Sequence, residues 1–221
     1  MATNYNPKIV TDGLVLCLDA ANTKSYPGSG TTWTDISGKS NNGTLTNGPT
    51  FDSGNKGSFG FDGSNDYVSI PNAALSKNCS ILFWFKDNNP GTWDDVFTFQ
   101  TGNANTASRL EKHGNVAYQY NWYYGGFVNS TVLFNHTGTK YDFISLVFDS
   151  TNATCYQNAV QTAQTASSDF GSASVIDFGR RTPSTGHNWA GNIAQVSIYH
   201  RALTATEVLQ NYNATKGRFG L

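Results

Sequence analysis

Along residues 141–149, YDFISLVFD, apolar and polar positions alternate. Phe143, Ser145, Val147 and Asp149 fall on one face of an extended chain, and Ile144, Leu146 and Phe148 on the other. This period of two predicts a strand whose second set faces a core. In CSILFWFKD, residues 79–87, both faces are apolar, with Ile81, Phe83 and Phe85 opposing Leu82 and Trp84. Such a run predicts a strand covered on both sides. GLVLCLD, residues 13–19, reads as a buried central strand for the same reason. Further β-branched and aromatic runs follow: SFGFDGS, NDYVSIP, WDDVFTFQ, NVAYQYNWYY, TVLFN, ATCYQNAV, SVIDFGR and WAGNIAQVSIYHR. Gly, Asn, Asp and Pro separate them. About a dozen strands with turn signals between them predict an all-β fold, a two-sheet antiparallel sandwich. The polar connection AANTKSYPGSGTTWTDISGKSNNG is too rich in Gly and Asn for regular structure, and Trp33 and Ile36 are expected to pin it to the body.

One helix is predicted, at the C-terminal end. Thr204-Ala205-Thr206-Glu207 fits a capping box, in which the Thr204 hydroxyl accepts from the Glu207 amide and the Glu207 carboxylate from the Thr204 amide. Val208, Leu209 and Tyr212 form its apolar stripe. So short a helix is marginal alone and must dock on the sandwich. No repeat of fixed period and no low-complexity linker divides the chain. The expected organisation is an N-terminal arm, residues 1–12, and a single domain, residues 13–221.

Composition narrows the function. Of 221 residues, 13% are charged and 14% aromatic, and the net charge is −1. Capture of nucleic acid or anionic lipid needs clustered Lys and Arg, so neither partner is expected. No apolar run approaches a membrane span, and no secretory signal opens the sequence. Cys17, Cys79 and Cys155 each lie in an apolar run, which reads as buried thiols in a protein made in a reducing cytoplasm.

Three segments carry a family resemblance. Gly191 to Thr215 resembles the closing strand, turn and helix of laminin-G-like domains, in the concanavalin A-like lectin/glucanase superfamily. SFGFDGSNDYVSIP is similar to that family's strand pair, and CSILFWFKD with YDFISLVFDSTNATCYQNAV to its central strands. At the turn Tyr156-Gln157-Asn158-Ala159 the family's usual Gly is missing. The resemblance implies a jelly-roll sandwich whose last strand, 192–200, lies beside the first, 13–19, with the helix sealing one end. The opening, NPKIVTDGLVLCLDAANTKSYPGSGTTWTDISGKSNNGTLTNGPTF, resembles laminin-G-like structural proteins of tailed bacteriophages. That implies a virion protein assembled in the host cytoplasm, a surface decoration or fibre-associated module. It would contact capsid or tail proteins, through the sandwich or through residues 1–9, and bind host glycans weakly, as a monomer or a homo-oligomer. Many domains of the family bind calcium, and here Asp62, Asn65 and Asp66 form a short oxygen-rich turn of suitable type, for which a plain β-turn is the preferred reading.

Candidate chemistry is sparse. A retaining glycosidase needs two carboxylates about 5 Å apart. The glutamates are Glu111 and Glu207, Glu207 is assigned to the cap, and adjacent Asp94 and Asp95 point to opposite faces of a strand. His113, His136, His187 and His200 lack a nucleophile-elbow motif, and no Cys/His spacing fits zinc. The expectation is therefore a protein that is not an enzyme. Sugar binding needs flat aromatics beside polar groups. Trp122, Tyr123 and Tyr124, ending a strand in Gly125-Gly126, are candidates, as are Trp93, His187 and Asn188, whereas Trp189 reads as core. Of Arg180 and Arg181, one is expected to bond a neighbouring backbone and the other to face solvent or a partner. The rival readings are a carbohydrate-binding lectin, with or without calcium, and, furthest back, a glycoside hydrolase.

Overall fold

The computed structural model describes residues 7–54, 57–75, 77–88, 93–100, 108–112, 119–124, 127–136, 138, 140–166, 173–182 and 186–221. At 72–74, 100, 119–124, 127–132 and 173–174 only the backbone is described. The described residues form sixteen strands: β1 (Leu14–Asp19), β2 (Thr32–Trp33), β3 (Gly43–Thr46), β4 (Thr50–Asp52), β5 (Ser58–Asp62), β6 (Tyr67–Leu75), β7 (Cys79–Asp87) and β8 (Asp95–Gln100), then β9 (Ser108–Lys112), β10 (Gln119–Tyr124), β11 (Phe127–Asn135), β12 (Asp142–Phe148), β13 (Asn152–Gln157), β14 (Val160–Ala166), β15 (Ala173–Phe178) and β16 (Ala190–Tyr199). A helix α1 (Ala205–Thr215) and a 3-10 turn (Lys216–Phe219) close the chain.

Two antiparallel eight-stranded sheets stack. The first runs β14-β13-β12-β7-β16-β5-β4 with β1 beside β16, and the second β11-β10-β9-β8-β15-β6-β3-β2. Alternate residues of β7 and β12, Ile81, Phe83, Phe85, Ile144, Leu146 and Phe148, enter the core between the sheets with Phe97, Phe99 and Phe178. Their other faces, Leu82, Trp84, Phe143 and Val147, are buried too, in a second cluster with Val10, Tyr199, Leu203 and Val208. A strand apolar on both faces thus finds a cover for each.

That second cover is α1. Its capping box forms as expected, with the Glu207 amide donating to the Thr204 hydroxyl at 3.3 Å and the Thr204 amide to Glu207 Oε2 at 2.8 Å. Val208 and Tyr212 face the sheet as expected, joined by buried Asn211, whereas Leu209 is exposed. Trp84 stacks on Tyr212 and Phe219, centroids 5.9 and 4.1 Å away, and its indole donates to Thr215 Oγ1. The helix therefore covers the outer face of the first sheet and does not seal an end of the sandwich. Residues 8–10 lie along it: the Val10 amide donates to Asn211 Oδ1, Tyr199 Oη to the Val10 carbonyl and Gln210 Nε2 to the Lys8 carbonyl.

β1 pairs with β16 as expected, Leu18 opposite Val196 and Leu16 opposite Ile198. It is not central, however. β16 gives β7 one edge, while β5 and then β1 share the other. The free edge of β1 is capped by the polar connection: Asp35 Oδ1 accepts from the Cys17 amide, Asn41 Nδ2 donates to the Val15 carbonyl and the Ile36 amide to the Cys17 carbonyl. Trp33 is buried in the core, but Ile36 anchors only through its backbone and its side chain is exposed. A covered edge offers no row of open amides for stray pairing. The three cysteines are free and buried, and burial pushes the thiols of Cys17 and Cys155 up to about 12.

Candidate functional site

Three turns meet at one end of the sandwich: Asp62 to Asp66 after β5, Trp93-Asp94 before β8, and His187-Asn188 before β16. His187 Nδ1 donates to the Trp93 carbonyl at 2.6 Å, Asn188 Nδ2 donates to the Ser64 carbonyl, and Asn188 bridges Asp95 in the parallel sense. Four of the residues singled out from sequence, Asp62, Trp93, His187 and Asn188, thus come into one neighbourhood. Trp93 is 43% exposed, and its backbone sits at φ 67°. Left-handed geometry is costly for so bulky a residue.

Below the turns lies a charged layer that the sequence did not reveal. On β8 and β9, Asp95 pairs with Glu111, and Arg181 reaches both carboxylates at 2.5 Å. Arg109 bonds Glu111 at 2.6 Å. Arg180 grips Asp177 at 2.8 Å and covers the Tyr67 ring. Both arginines therefore bind carboxylates; neither takes the expected role toward a loop backbone or solvent. Burial drives the Asp95 carboxyl well upward, against the opposing pull of Arg181. Lys112, fully buried, meets Asp87 at 3.1 Å and Asp94 at 3.5 Å. His136 accepts the Asp87 amide at Nε2, so its proton sits on Nδ1 and faces Asp142 at 2.6 Å. Burial alone would raise Asp142, but hydrogen bonds from His136, Asn158 and Gln157 hold it below the usual carboxylate value. One clue to this layer was available: in a chain with so few charges, charged residues inside aromatic strands must be paired.

In the Asp62–Asp66 turn, Asp62 Oδ1 accepts the amides of Ser64 at 2.8 Å and Asn65 at 3.4 Å, and Asp66 Oδ2 accepts that of Asp62 at 3.2 Å. The Ser64 bond holds Asp62 below its ordinary value, and burial raises Asp66. The Asn65 carbonyl is taken by Asn47 Nδ2. Side-chain oxygens of Asp62 and Asp66 thus accept amides within the turn, and among the described residues no group of three or more His, Cys, Asp and Glu side chains is placed to hold a metal. Trp189 is wholly buried against Phe61 and Phe85. Gly179 closes the Arg180 turn at φ 97°, where a Cβ would collide with Phe61 and the Asp66 carbonyl. Strand β10 sets Trp122 opposite Leu110 and Tyr123 opposite Arg109. The side chains of Trp122, Tyr123 and Tyr124, together with Gly125, Gly126 and His113, lie outside the described residues.

Residues 62–209 match a laminin-G family described as the concanavalin A-like lectin/glucanases superfamily. No curated protein matches the chain. Among solved structures, it is similar to domain 4 of AbnA, an extracellular arabinanase of Geobacillus stearothermophilus in complex with arabinotriose, with a TM-score of 0.71 and 17% identity over 90% of this chain and 98% of that one. It is similar to the binding domain of Paraclostridial Mosquitocidal Protein 1, TM-score 0.70 and 16% identity, covering 92% of this chain and 52% of that one. It also resembles Trypanosoma rangeli sialidase in complex with sialic acid, TM-score 0.67 and 12% identity, over 93% of this chain and 33% of that one. The chain thus spans about half of the second of these proteins and a third of the last, and at such identities the likeness concerns the fold.

Proposed function

The chain belongs to the concanavalin A-like lectin/glucanases superfamily, and from that premise we propose that it is a non-enzymatic glycan-binding module whose contact surface is the turn cluster around Trp93. The observation that carries this reading is the exposed indole of Trp93, held at φ 67° beside His187 and Asn188. A flat ring at the surface stacks on the apolar face of a sugar, while neighbouring side chains take its hydroxyls. Likeness in fold to proteins solved with arabinotriose and with sialic acid supports the class of ligand.

The non-enzymatic part is supported by the carboxylates themselves. Asp95 and Glu111 are adjacent, but both are buried and held by arginines, so neither is free to protonate a leaving group or attack a sugar carbon. The resemblance of the opening segment to tailed-phage structural proteins favours a finer reading: the module sits on a virion, contacting capsid or tail neighbours and presenting the Trp93 end to host glycans. Stoichiometric copies in purified particles would support that placement, and their absence would remove it.

The central test is a glycan array probed with the whole chain, in calcium and in chelator. Binding that survives chelation and weakens about tenfold in Trp93→Ala, or roughly 1.4 kcal/mol, is expected. Equal binding by Trp93→Ala, or none by the native chain, would overturn the proposal. Polysaccharide hydrolysis that disappears in Asp95→Asn would overturn its non-enzymatic part.

A further inference from the structure

At the other end of β5 is an open cleft of about 270 Å³, between the connection that follows β1 and strand β4. Its walls include Thr23, Tyr26, Pro27, Gly28, Phe51 and Ser53. Tyr26 is buried, its hydroxyl donates to the Gly30 carbonyl at 3.1 Å, and its ring lies 5.0 Å from Phe51 and 4.7 Å from Phe59. This aromatic cluster fixes the half-buried Phe51 ring as a rigid wall. At Gly28 a side chain would meet nothing within 4 Å, so the space beside it is open.

Among the described residues that line it there is no Asp, Glu, Lys, Arg or His. Beside it, Arg218 pairs with Asp19 at 2.6 Å and donates also to the Gly57 carbonyl. From the described lining residues a charged ligand would receive no counter-charge. An apolar ring and a proline beside two exposed hydroxyl side chains suit an uncharged, amphipathic molecule with a flat apolar face and several hydroxyls. The volume is near the lower end of ligand pockets, about 300 Å³, which suits a short ligand.

We propose that this cleft is a second binding site, for one ring of a neutral saccharide. Gly57 precedes β5 and Asp62 ends it, so the strand separates the cleft from the Trp93 cluster by about 17 Å, and no single ring reaches both. The choice of a saccharide rests on the glycan-binding reading above, whereas the cleft and its neutral lining do not.

The test is an amide chemical-shift titration of the whole chain with uncharged trisaccharides of pentose or hexose units, and with sialylated and sulfated ones in parallel. The neutral probes should shift the amides of Gly28, Ser53 and Gly57. Ser53→Trp, which fills the cleft from an exposed position, and Phe51→Ala should abolish those shifts and leave any at His187 and Asn188 intact. Cleft amides that stay still while those at His187 move would overturn this inference and leave the Trp93 reading standing. The reverse would leave the cleft and remove the Trp93 site. Silence at both would remove both, and cleft shifts with charged probes only, or shifts unchanged in Ser53→Trp, would also overturn the inference.

Discussion

Trp93 and Ala159 share an uncommon backbone state, φ 67° and 64°. For an L-residue this costs about 1–2 kcal/mol, and glycine escapes it. At Ala159 the geometry belongs to a hairpin turn, with Asn158 at φ 52° and its side chain bonded to the Phe143 amide and Asp142. Such a turn prefers Asn-Gly. Both Ala159→Gly and Trp93→Gly should therefore raise stability by about 1 kcal/mol, read as a higher midpoint in thermal or urea unfolding. Only Trp93→Gly should lose glycan binding. If it keeps binding, or if it destabilises the fold, the strained indole has no functional purpose. The missing glycine was visible in the sequence, because a turn motif names its own exception. The strain at Trp93 was not, and its carbonyl is held by a contact no local pattern announces, the ring of His187, 94 residues away.

Among the elements, β7 and β12 were legible because two-sided apolar runs leave no freedom about burial. The position of β1 was not. Its sequence resembles theirs, yet its second edge is met by Asp35 and Asn41, polar side chains that mimic a neighbouring strand. The Asp95–Glu111–Arg181 layer was hidden for a related reason: a bulge between Asp95 and Phe97 sets the register that makes the pair. Periodicity reads faces, and it does not read which strands meet. The cap of α1 was legible, being local, and it carries a pH dependence. Hydrogen bonds from Arg201, and then from the Thr204 amide, hold Glu207 below its ordinary 4.5, at about 2. A carboxylate with a depressed native value stabilises above its unfolded value and loses that contribution as acid is added. Between pH 4.5 and about 2 the native chain should lose stability that Glu207→Gln never had, so their melting temperatures should converge across that window. A constant difference down to pH 2 would show that the ionised carboxylate contributes nothing.

At the scale of the molecule, the first sheet is sandwiched in turn, by its partner sheet on one side and by α1 with residues 8–10 on the other. The outer cluster includes Leu82, Trp84, Phe143 and Tyr199, all buried. Removing residues 204–221 would expose that surface, an apolar patch far larger than soluble monomers tolerate. The truncated chain should appear in the insoluble fraction or bind an apolar dye, while Leu209→Ala, at an exposed helix position, should change neither. A soluble, cooperatively melting truncation would mean that the helix is an ornament on a self-sufficient sandwich.

The Tyr199 hydroxyl that closes on the Val10 carbonyl is 189 residues from it along the chain. A ribosome adding roughly 5–20 residues per second leaves β1 waiting about 10–40 s for its strand partner, β16. Throughout that wait the nascent sandwich has a gap where β16 belongs, between β5 and β7. The emergence of β16, more than any early nucleus, sets the moment at which the first sheet can close.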